Sequence, residues 1–149
     1  MMNVSLLKII TILSCIIGII CGFVALLPYL GGFAFFTTVC LSSLIVIILL
    51  MRAGVLKLDT IPESLTIGSI IGFISYLAFS IIYIPLVILM IRVFHYATNY
   101  GISIILGHAN LFVILVLSIF MAVISATINA FTAFIIYYIT EVFNNMNNK

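Results

Sequence analysis

The chain has 149 residues, 66% of them hydrophobic and 5% charged, with five Lys+Arg against three Asp+Glu and a net charge of +2. Soluble domains carry roughly a quarter charged residues, so this composition excludes a water-borne enzyme, a secreted domain and a disordered chain. A mean hydropathy of +1.54 leaves the bilayer as the solvent these side chains suit, and the scattered charges form no patch for nucleic acid or anionic lipid.

A spanning helix needs about 20 apolar residues at about 1.5 Å each. The first candidate runs from about Ile9 to Leu27. Ile12-Leu13-Ser14-Cys15 resembles a lipoprotein cleavage box, but Leu13 is bulky where a small residue is wanted and the apolar run continues well past Cys15. We therefore expect a retained helix. Asn3-Val4-Ser5 fits a glycosylation sequon too loose to weigh. The span stops at Pro28-Tyr29-Leu30-Gly31-Gly32, a turn so short that the next helix must return antiparallel.

The second span covers about Phe33 to Met51 and ends at Arg52-Ala53-Gly54. After the polar stretch Lys57 to Ser64, Thr60-Ile61-Pro62-Glu63 matches the capping box that opens a helix, with Pro62 harmless in the first turn. This explains Asp59 and Glu63 without catalysis. The third span runs from about Leu65 to Ile91, and Pro85 is expected to kink it. Residues 92–108 hold a turn signal at Asn99-Tyr100-Gly101 and an apolar piece, Ile102 to Leu106, too short to cross, so they read as a loop or a re-entrant segment. The fourth span covers about Leu111 to Ile139. A polar tail, 144–149, is expected to be disordered, which makes 1–143 a single transmembrane domain.

With four spans, Lys8, Arg52, Lys57 and Lys149 fall on one side and Arg92 on the other. That asymmetry predicts cytoplasmic termini in the cell membrane. Tyr29, Tyr96 and Tyr100 would mark one interface and Tyr137 and Tyr138 the other.

Small and polar residues recur at alternating spacings of three and four, which place them on single helix faces. Thr11, Ser14, Gly18, Cys21 and Ala25 share a face of the first span, and Ala34, Thr38 and Ser42 a face of the second. Ser69, Gly72, Tyr76, Ser80 and Tyr83 do so on the third, and Ser118, Ala122, Ser125, Asn129 and Thr132 on the fourth. Lipid tails are as apolar as leucine, so membrane helices associate where small side chains and hydroxyls allow close approach and hydrogen bonds. The alternation predicts an all-α, antiparallel four-helix transmembrane bundle, crossing near +20°, with the stripes inside and isoleucine facing lipid. Ser64-xxx-Gly68-xxx-Gly72 and Ser118-xxx-Ala122-xxx-Ala126-xxx-Ala130 also fit the small-xxx-small pattern, which can join separate chains into a homo-oligomer or a larger membrane complex. Asn129, the carboxamide within a span, should bond a hydroxyl such as Ser14, Tyr76 or Ser80; the sharper alternative is a contact in a substrate path.

No Asp, Glu, Lys, Arg or His falls in the core of a span, against the habit of proton-coupled transporters, voltage sensors and pumps. HExxH, GxSxG, paired intramembrane Asp and a Gly-rich phosphate loop do not occur. Cys15, Cys21 and Cys40 lack metal-ligand or disulfide spacing and read as packing residues. His95 and His108 lie together near the same loop, but haem bundles place their ligands inside helices. We therefore expect no cofactor, no metal and no catalytic residue. The favoured function is a non-enzymatic membrane subunit or scaffold working through helix–helix association. The alternative is a small permease component with a weakly polar path past Tyr76, Ser80, Ser125 and Asn129, and a loop-based enzyme using His95 or His108 ranks last.

Overall fold

The structure is a computed structural model that describes residues 4–95 and 110–147. Its helices are α1 (Val4–Val24), α2 (Gly31–Phe36), a π-helical turn (Thr37–Leu41), α3 (Ser42–Arg52), α4 (Ile61–Phe94) and α5 (Leu111–Asn147). The segment Gly31–Arg52 forms one span, so four helices are long and apolar enough to cross a membrane. The protein is an antiparallel four-helix transmembrane bundle, as the hydropathy pattern predicts. In hydrocarbon every backbone N–H and C=O must be paired within the chain. That demand makes helices of isoleucine-rich runs whose helix propensity in water is modest.

The helix ends show why the chain turns where it does. Ala25, Leu26 and Leu27 extend α1 through hydrogen bonds to Cys21, Phe23 and Val24 carbonyls, and Tyr29 then takes a positive φ of 70°. Gly31 lies against Ala25, whose carbonyl oxygen would sit 2.8 Å from an added Cβ, so the turn closes only around glycine. After Ala53, Gly54 adopts φ 69°, its N–H donates to Met51 O at 3.1 Å, and Val55 N–H donates to Leu50 O at 3.0 Å. This pair of bonds is the Schellman closure, and it folds Leu56 under the bundle end.

Several boundaries differ from the sequence reading. Thr60 is the N-cap of α4 in extended conformation, but its side chain makes no capping bond; Ser64 Oγ donates to Ile61 O at 2.8 Å instead. Helix α4 continues through Pro85 to Phe94 and closes on His95, at φ 50°. Residues 144–147, expected as a disordered tail, continue α5. The features expected at 96–109, which include Tyr96, Tyr100 and His108, lie outside the described residues, as does Lys149.

Helix α4 is the hub, packed against α1 on one side and α5 on the other. The contacting small residues of α1 are Ser14, Gly18 and Gly22, stepping strictly in fours. Thr11 and Cys21, expected in that stripe, are half-buried flanks. A Cβ on Gly18 would run into Ser75 O and meet Ala78 Cβ at 2.8 Å; one on Gly22 would meet Phe79 O at 3.2 Å. On the other side a Cβ on Gly68 would run into Asn129 O, and one on Gly72 would lie 2.5 Å from Ser125 O. These are backbone-to-backbone seams of the small-xxx-small kind.

The stripes face inward, but isoleucine does not all face outward. Ile12, Ile16, Ile19 and Ile20 are exposed, whereas Ile10, Ile47, Ile67 and Ile71 are fully buried with Val46, Leu50, Leu56 and Ala133. Glycine and serine let the backbones touch but fill little space, so branched side chains beside the seam fill the rest. A second cluster, Ala25, Ala34, Val39, Tyr76, Phe79, Tyr83, Val87 and Ala122, fills the other half with aromatic rings.

Candidate functional site

Between the two clusters lies a buried polar layer built around Asn129, on α5. Its Oδ1 accepts hydrogen bonds from Ser42 Oγ at 3.0 Å and Ser43 N–H at 2.8 Å. Its Nδ2 donates to Val39 O at 2.8 Å and Ser125 O at 2.9 Å, with Ser125 Oγ at 3.3 Å. A carboxamide offers two donor hydrogens and two acceptor lone pairs, so every hydrogen-bonding group of Asn129 is used within the chain. The partners are those of the second span, not Ser14, Tyr76 or Ser80. Ser14 Oγ donates to Ile10 O of its own helix at 2.7 Å, and Ser80 bonds with Tyr76.

The π turn explains this choice. Replacing i→i+4 by i→i+5 bonds widens the helix and leaves backbone groups unmatched, a feature often found at functional sites. Side chains of α5 meet them. Ser125 Oγ donates to Gly72 O at 3.0 Å and lies 3.4 Å from Thr38 O. Thr132 Oγ1 donates to Cys40 O at 3.2 Å or to Ile128 O at 3.1 Å, while Asn129 takes Val39 O and Ser43 N–H. Three residues of α5 thus staple the irregular turn of the second span. The Ser43 hydroxyl is buried here without a hydrogen-bond partner.

A cavity of about 350 Å³ adjoins this layer on the aromatic side. Its wall consists of Phe35 from α2, residues from Tyr76 to Ile84 on α4, and Ile114, Leu117, Ser118 and Met121 on α5. Phe35 meets Tyr76 and Phe79 edge-on with centroids 6.2 and 6.1 Å apart, and Phe79 stacks on Tyr83 at 5.0 Å.

The structure brings Gly72, Ser125 and Asn129 together in the polar layer and buries Ser14, Gly18 and Ala122 at helix contacts. Tyr76, Ser80 and Ser118 line the cavity. Ser69 is half-buried in a shallow pocket it shares with Ala126 of α5, returning its proton to Leu65 O at 2.7 Å. Sequence reasoning missed Ser43, Ser75 and the carbonyls of the π turn. The signal for that turn is the pairing Thr37-Thr38 and Ser42-Ser43. Thr38 and Ser43 stand five residues apart, more than one α turn, yet both are fully buried, which a widened turn allows.

Cys15, Cys21 and Cys40 are free and half-buried, the latter two against the aromatic cluster. Among the described residues no three of His, Cys, Asp and Glu gather as metal ligands. No family model matches the chain, and neither a curated protein nor a solved structure is similar to it.

Proposed function

We propose that this membrane protein is a non-enzymatic subunit or scaffold that works through helix–helix association, in the cell membrane with both termini cytoplasmic. The observation that carries the reading is the saturation of Asn129. The strongest polar group inside the spans has no donor or acceptor left for a passing solute or a reacting one. The hydroxyls of Ser42, Ser125 and Thr132 bond from one helix to another. Meanwhile α1 and α5 bury only 17% and 11% of their most apolar stretches within the chain, leaving long outer faces for lipid or neighbouring helices.

The test is the mass and neighbourhood of the full chain in mild detergent and in intact membranes, read by native mass spectrometry and by crosslinking. The expected result is a defined assembly heavier than the 16.4 kDa protomer, containing further copies or other subunits. A partnerless monomer in both settings overturns the proposal.

The cavity beside Tyr76 and Ser80 favours a second reading, a permease component. Its lining ends at Tyr76 and Met121 and does not include Asn129. Solute flux into vesicles containing the chain alone, abolished by Ser80→Leu, would support this reading over the first.

A further inference from the structure

We propose that the aromatic cavity is a binding site for a small, planar, lipid-soluble ring compound carrying a hydroxyl group, entering from the bilayer. The cavity arises from the way α4 and α5 part. Over Gly68 and Gly72 the two backbones touch. Beyond them α4 presents Tyr76, Ser80 and Tyr83, and no residue of α5 before Ala122 is buried. The bulky rings hold the first part of α5 away, and the space between is of the size that small-molecule sites occupy.

Its contents must come from the apolar phase. A water molecule needs two to four polar partners, and the hydroxyls at hand are already engaged: Ser118 Oγ donates to Ile114 O at 2.8 Å, and Tyr76 and Ser80 bond each other. An empty space of this size would forfeit the dispersion contacts of its whole lining. Leu117, 45% exposed, stands on the rim, so entry is from the acyl chains.

The wall selects among apolar molecules. Phe35, Tyr76, Phe79 and Tyr83 form one connected set of rings with neighbouring centroids 5.0–6.2 Å apart, in edge, tilted and stacked geometries. Such a surface offers both ring faces and ring edges, which a flat π-system exploits and a saturated chain does not. The Ser80 and Ser118 oxygens, whose hydrogens are already engaged, keep acceptor lone pairs, enough to orient one hydroxyl substituent.

Photolabelling tests this with the full chain in phosphatidylcholine vesicles. The probe is 3-trifluoromethyl-3-phenyldiazirine, with labelled positions read by mass spectrometry. Labelling of 76–84 and 114–121 should saturate with probe, and 1-naphthol should displace it while hexadecanol does not. Labelling at the exposed Phe131 and Ile135 should rise without saturation, since these side chains face lipid. Ser118→Phe, which places a ring in the cavity, should weaken the saturable component about tenfold; the competition in the unaltered chain decides the matter should that variant not fold. Non-saturating labelling at both cavity segments overturns the proposal. Displacement by hexadecanol as effective as by 1-naphthol also overturns it, because the cavity is then a slot for lipid chains.

Discussion

The two halves of this bundle solve the same packing problem in opposite ways. In one, Gly68 and Gly72 bring α4 onto the backbone of α5, and Ile10, Val46, Ile47, Ile67 and Ile71 fill the space around the seam to complete burial. In the other, Tyr76, Phe79 and Tyr83 separate the same two helices and leave about 350 Å³ between them. The helices and the surrounding lipid are common to both; only the size of the residues on one face of α4 changes. Close approach in a bilayer is therefore set by the smallest residue at the contact, and rings at the same register create room.

The comparison breaks most sharply by inserting the same side chain on each side. Gly68→Leu must drive its first carbon into the Asn129 carbonyl, and should cost about 3 kcal/mol or prevent folding. Reversible unfolding in mixed micelles, followed by circular dichroism, measures it. Asn129→Leu keeps the branched, four-heavy-atom shape but strands Val39 O and the Ser43 N–H inside hydrocarbon; about 2 kcal/mol should be lost in the same assay. Ser125→Ala removes one donor to Gly72 O and one weak acceptor for Asn129, and the expected loss is about 1 kcal/mol. Ser80→Leu adds the bulk of the first variant beside the cavity instead of the seam, so its effect should stay within about 1 kcal/mol. Equal losses for Gly68→Leu and Ser80→Leu would show that the halves are not packed differently. Smallest of all, Ser69→Ala, whose half-buried hydroxyl bonds only its own helix, should change stability by less than about 0.5 kcal/mol.

Much of this architecture is legible in the amino-acid order. Spans of about 20 apolar residues, the Pro28–Gly32 turn and the small-residue stripes place four helices and their inward faces, because hydropathy and periodicity are local properties. The stripes located Ser14, Gly18, Gly72, Ala122, Ser125 and Asn129 at helix contacts. They chose Cys21 over Gly22, since a spacing rule tolerates a shift of one position. The partners of Asn129 were not legible: they are main-chain groups freed by a π turn, and main-chain groups have no letter. Nor does periodicity tell how far apart two helices stand, so the cavity appears only once Tyr76 and Tyr83 are set opposite Ile114 and Ser118.

Most hydroxyls in the spans give their proton to the carbonyl one turn back on their own helix, as Ser14, Ser69, Ser118 and Thr127 do. Such helices enter hydrocarbon self-sufficient. The second span is the exception, because Val39 O and the Ser43 N–H find their partner on Asn129, 90 and 86 residues later. During synthesis this segment waits for α5 before its own backbone is complete, so α5 is the helix that locks the second span in place.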